Sequence, residues 1–205
     1  MNDANGTAVT AAELSAIGGA TAGTVTVSNA VAITGDHDQL TAALVTAGTK
    51  VEAGTATVTM NDANGVAVAA TELSAIGGAT NGMVTIDDAI AITGTTAEMI
   101  AALVTASTKV EVTDADASLT ISDIPTIAEI NSIAATTRGV VTATLAADSL
   151  ANLSALTTAG TDEINITINE VDASNLTAAN LSELGGKTAG TVTVPNAVTI
   201  TGDHD

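Results

Sequence analysis

The chain has 205 residues, no cysteine and no aromatic residue, and sets 23 acidic against four basic side chains, a formal charge of −19 at neutral pH. That balance argues against nucleic acid and anionic membranes as partners, and the missing rings remove both the usual bulk of a core this size and any platform for stacking a sugar. No apolar run approaches the ~18 residues of a membrane span, while Ala, Val, Ile and Leu are too abundant and too regularly placed for disorder.

Met1-Asn2-Asp3-Ala4-Asn5-Gly6 returns as Met60-Asn61-Asp62-Ala63-Asn64-Gly65, an offset of 59 that holds without a gap through Thr49-Lys50-Val51-Glu52 and Thr108-Lys109-Val110-Glu111. Within the first unit, Gly23–Val27 and Ala30–Gly35 are short, β-branched and alternating, and predict strands. Leu40, Ala43 and Leu44 then fall at i, i+3, i+4, the face of a short helix over 38–44. Next come a strand at Ala56–Met60, a turn at Asn64-Gly65, a strand at Val66–Val68 and a helix over Thr71–Gly78. Thr71 is the expected cap of that helix, with Glu72 in its first turn and Gly77-Gly78 as its end. Each half-unit therefore reads strand, turn, strand, short helix, over roughly 30 residues, the size of one solenoid coil.

The units are 1–59, 60–118, a divergent 119–167 and a partial 168–205, forming one continuous array. The third is shorter, because Leu181–Asp205 matches Leu14–Asp38 at an offset of 167. Pro125 marks a local turn there, not a domain boundary. Both ends fall inside a unit, which leads to the expectation of a window on a longer chain. The fold expected is a mainly β repeat solenoid, right-handed and parallel, with short helices along one side. Tandem small β-sandwiches are the alternative, disfavoured by the period and the missing buried aromatic.

Oxygen-rich side chains gather at turns. Asp3, Asn5, Asp36, Asp38, Asp62, Asn64, Asp87, Asp88, Asp203 and Asp205 are candidate calcium ligands, calcium being the one cofactor considered. The EF-hand pattern is incomplete and the glycine-aspartate nonapeptide of calcium-binding β-rolls is missing. Turn formation by Asp, Asn and Gly is the preferred explanation. His37 and His204 sit between carboxylates but are read as exposed turn residues, since the second unit carries Thr95-Thr96-Ala97 there. Thr24/Thr26, Thr57/Thr59, Thr142/Thr144 and Thr191/Thr193 could form an ice-binding threonine ladder; strand propensity explains them more simply. Glycosylation triplets at Asn5, Asn152, Asn165, Asn175 and Asn180 are what chance gives in a chain so rich in Thr and Asn. No nucleophile–base set or phosphate-binding loop is present, which argues against an enzyme.

Ala12-Glu13-Leu14-Ser15-Ala16-Ile17, Gly23-Thr24-Val25-Thr26-Val27 and Ile33-Thr34-Gly35, followed by a Leu/Ala-rich short helix, resemble repeats of giant secreted surface proteins of cyanobacteria and other bacteria, of haemolysin-type or adhesin-like character. The resemblance implies an extracellular, cell-surface structural role, as adhesin stalk, surface layer or fibre. The partners expected are further copies of the chain or other surface components. A ligand-binding role, to calcium, ice or a host surface, is the alternative.

Overall fold

β1 (Ala8–Thr10) runs directly into α1 (Ala11–Gly19) in the computed structural model, which describes residues 1–49, 51–107, 109–112 and 116–202. β2 (Val25–Thr26) and β3 (Ala32–Gly35) lead to α2 (His37–Leu40), and β4 (Val51–Glu52) closes the unit. β5 (Thr57–Met60) spans the boundary, and the second unit then repeats the order: β6 (Ala67–Ala69), α3 (Ala70–Gly78), β7 (Val84–Ile86), β8 (Ala91–Gly94), α4 (Thr96–Met99) and β9 (Val110–Val112). There follow β10 (Ser118–Ile121), α5 (Ile127–Ala134), β11 (Val141–Thr144), α6 (Leu150–Leu153), β12 (Glu163–Thr167), β13 (Asn175–Thr177), α7 (Ala178–Gly185), β14 (Val192–Thr193) and β15 (Thr199–Thr201).

Local chemistry explains the helix starts. Thr10 caps α1 reciprocally: Glu13 N donates to the Thr10 hydroxyl at 3.2 Å, and Thr10 N donates to the Glu13 carboxylate at 3.1 Å. In the second copy the cap position is Ala69, not the expected Thr71. Only the return half survives there, Ala69 N donating to Glu72 at 3.1 Å. The helix foreseen over 38–44 is correctly faced, with Leu40, Ala43 and Leu44 buried. Its winding differs: α2 passes without a break into a π-helical turn, Thr41–Val45, closed by Thr46 N donating to Thr41 O at 2.9 Å. α4 continues in the same way through Ile100–Val104.

The first π turn carries a small flaw. The Thr41 hydroxyl is buried and has no hydrogen-bond partner, whereas the second copy places Ile100 at this position. Thr41→Val is expected to stabilise the protein by about 1 kcal/mol, through relief of an unsatisfied buried group. Urea denaturation followed by far-UV circular dichroism measures it, and a loss of stability would contradict the assignment.

Every strand pair is parallel. The sheets run β1-β3-β5-β7-β9, β14-β12-β11-β10-β8-β6, β13-β15 and β2-β4. The expectation of a mainly β solenoid is therefore corrected. The chain is mixed α/β, with strands alternating with seven α-helices among the described residues, in four separate parallel sheets that do not close into a solenoid. Tandem sandwiches fail as well, since those are built from antiparallel sheets.

Two physical reasons account for the difference. The helices are core elements rather than trimmings, for Leu14, Leu40, Leu73, Ile76, Met99, Ile130 and Ile133 are all fully buried. The ladder step also does not divide the sequence repeat. Thr10 pairs with Thr34, Thr34 with Thr59, Thr59 with Thr85 and Thr93 with Thr120, steps of 24 to 27 residues against a repeat of 59. The equivalent strands β1, β6 and β13 consequently each stand at the edge of a different sheet. One continuous apolar cluster fills the space between strands and helices, with rows such as Val9, Ile33, Val58 and Val84 stacked along the first sheet.

Candidate functional site

The polar groups that stand out join one turn of the chain to the next. Asp62, nearly buried in the turn after β5, reaches back to the start of α2: its Oδ2 accepts from His37 N at 2.9 Å, and its Oδ1 lies 2.6 Å from His37 Nδ1. Asp123, at the start of the third unit, does the same for α4 of the second. It accepts from Thr96 N at 2.7 Å and from the Thr96 hydroxyl at 2.6 Å. For α6 of the shortened third unit, Glu170 from the unit that follows accepts from Leu150 N at 2.7 Å. A carboxylate thus meets the exposed amides of each of these helix starts, where charge and dipole agree. The Thr96 hydroxyl, followed by the Thr96 amide, holds the Asp123 carboxyl below its ordinary range.

His37 is not the exposed turn residue anticipated. Its side chain is only 16% exposed, its Nε2 lies 3.6 Å from Asp38 Oδ1, and its second-unit counterpart Thr96 keeps the contact with a different donor. His204 lies outside the described residues.

The calcium candidates are placed singly. Asp36 caps α2, accepting from Gln39 N at 2.8 Å, and Asp38 points to solvent beside His37. Asn5 accepts from Ala30 N at 3.1 Å, Asn64 from Ala89 N at 3.0 Å, and the equivalent Asp172 from Ala197 N at 3.2 Å. Asp3 accepts through its carbonyl from Asn29 Nδ2 at 2.5 Å. Asp87 is exposed, and Asp88 is half-buried, its carbonyl accepting from Ile90 N at 2.8 Å. Asp203 and Asp205 lie outside the described residues. Among the described residues no three His, Asp or Glu side chains come together as a metal-binding group.

The threonine pairs do not form one ladder either. Thr26 pairs with Glu52 in the two-stranded sheet, Thr59 belongs to the five-stranded sheet, and Thr142 and Thr193 lie along the six-stranded one.

Sequence reading missed a second series of links. In Thr80-Asn81-Gly82 the threonine hydroxyl accepts from Gly82 N at 3.0 Å and donates to Ala56 O at 2.5 Å, on the preceding turn. Thr137-Arg138-Gly139 binds Ala117 O at 2.7 Å in this way, and Thr188-Ala189-Gly190 binds Ile164 O at 2.8 Å. The signal was present as a recurring Thr-x-Gly, but its partner lies 20 to 24 residues upstream.

α6 has four residues and no π extension, and open grooves of about 670 and 560 Å³ flank it. The larger is open and bounded by Glu170, Glu183 and Lys187.

Asp62→Ala is expected to cost about 2 kcal/mol, because it leaves the half-buried His37 amide and ring without their acceptor. A two-state urea titration gives the value, and a change below a few tenths of a kcal/mol would show the link to be idle.

Comparison with protein-family models, with curated proteins and with solved structures finds no match to this chain.

Proposed function

We propose that the chain is a structural repeat segment of a large extracellular bacterial surface or filament protein, a stalk, surface layer or fibre whose partner is principally itself. The observation that carries this reading is the use made of its polar side chains. Asp62, Asp123, Glu170, Asn5, Asn64 and the Thr-x-Gly threonines all bind backbone of a neighbouring turn of the same chain. Those are the needs of a scaffold that must stay in register. No helix among the described residues is long and apolar enough to cross a membrane. Among the described residues the larger sheets end at β1 and β9 in one and at β6 and β14 in the other, and such edge strands can take up a further strand. A net charge of −19 opposes association at low ionic strength, so assembly should be promoted by salt.

Electron microscopy and sedimentation of the purified protein over a range of salt and concentration test the proposal. Filaments or sheets favour it. Isolated monomers throughout would sink it.

A further inference from the structure

Among the described residues, the junction between the first two units contains the one histidine in the turn-to-turn links, a side chain that can change state near neutral pH. We propose that His37 is a pH-responsive clamp, protonation of its ring fastening the start of α2 to the turn that follows β5.

The geometry is that of a neutral ring ready to accept a second proton. A carboxylate only accepts, so the 2.6 Å contact with Asp62 makes Nδ1 the donor and leaves Nε2 as the basic nitrogen. Nε2 faces Asp38 Oδ1 at 3.6 Å. Protonation there would place the imidazolium between two carboxylates and turn the hydrogen bond to Asp62, until then ionised on the acceptor side alone, into a hydrogen-bonded ion pair. The charged groups facing the ring are Asp62 from the turn after β5, Asp38 from α2 itself and Glu72 from α3. All are acidic. The amides of the first turn of α2 oppose a positive charge, but Asp62 and Asp36 already occupy the His37 and Gln39 amides.

Burial of the ring disfavours the charge. The Asp62 hydrogen bond, and then the charges of Asp62, Asp38 and Glu72, outweigh burial and raise His37 above its ordinary 6.5. A group raised in the folded state contributes stability that is fully present below its unfolded value and is lost as pH rises through its folded value. The clamp is therefore tight in mild acid and relaxes in mild base. The equivalent link in the second unit behaves differently. Thr96 does not ionise, and Asp123 is lowered from 3.8, so its contribution is present above that value and is lost only as pH falls through the lowered one. At α6 the position is Leu150, which offers only its amide.

His37→Thr is the matched variant, because it installs the residue the second unit uses. Thermal unfolding by far-UV circular dichroism, which needs no aromatic reporter, would be compared between pH 5.5 and 8.5. The melting temperature of the parent is expected to exceed that of the variant most at the acid end, the gap narrowing as pH rises. A gap that stays constant or widens with pH overturns the proposal. In a His204→Gln background, NMR titration of the remaining histidine should give a midpoint above 6.5 that falls when Asp62→Asn is added. A midpoint indifferent to that change also overturns it.

Discussion

Gly18→Ala is expected to destabilise the protein by about 3 kcal/mol, whereas Gly19→Ala, one residue on, stabilises it by about 0.5 kcal/mol. Both glycines belong to the last turn of α1 and neither has a left-handed backbone. They differ in what a side chain would meet. A Cβ at position 18 would stand 2.0 Å from the Thr49 carbonyl oxygen and 3.1 Å from Val51 Cγ2. Thr49 cannot retreat easily, since its buried hydroxyl is tied to Ala43 O at 3.0 Å and Thr46 O at 2.7 Å. A Cβ at position 19 meets nothing within 4 Å and removes the entropic cost of a helical glycine. Chemical denaturation of the two single variants decides the matter. If both substitutions cost similar amounts, close approach of helix to turn is not what holds Gly18 in place.

The same pair marks where sequence reasoning reached its limit. Gly-Gly at the end of an amphipathic stretch reads correctly as a helix end, and α3 does finish at Gly78. The αL cap that usually explains such a glycine is absent, for the capping residues Ala20 and Ala79 are both right-handed. The reason for Gly18 lies in a turn some thirty residues away, which no local rule contains. Strand positions were legible to within a few residues at Thr57–Met60 and Ala32–Gly35, because alternation is a local property. β1 passed unnoticed in the first copy, although its equivalent at Val66–Val68 had been read as a strand.

The architecture was harder to read than its elements. A repeat of 59 suggests two equal coils, and strand stacking near 25 residues leaves a remainder, so that equivalent strands such as β1 and β6 fall in different sheets. That remainder is invisible in a self-alignment, which reports the period and not the ladder step. The links at His37–Asp62 and Thr96–Asp123 were hidden for the same reason. The repeat relates His37 to Thr96, whereas the contact relates His37 to Asp62. Loss of the histidine from the second unit looked like tolerance of an exposed turn. It is a change of donor in a conserved contact geometry, which only the paired positions reveal.

Leu73→Ala is expected to cost about 3 kcal/mol, and the corresponding Leu181→Ala about 1 kcal/mol, although both residues come from the same repeat position and the same Leu-Ser phrase. Leu73 on α3 is completely buried, with helical neighbours on both sides: Thr41–Val45 precedes it and Ile100–Val104 follows. Leu181 on α7 is only partly buried, on a helix with fewer helical neighbours than α3. In an array where each element is covered by the ones before and after it, the energy of a side chain belongs to its neighbours as much as to its own identity. With no aromatic residue to add bulk, removing a leucine leaves a void that Val, Ile and Ala around it cannot collapse to fill. The comparison needs equilibrium unfolding of both variants with unchanged slopes, so that stability rather than compactness is read. Equal costs at the two sites would mean that intrinsic repeat stability, and not coverage by adjoining helices, sets the strength of the array.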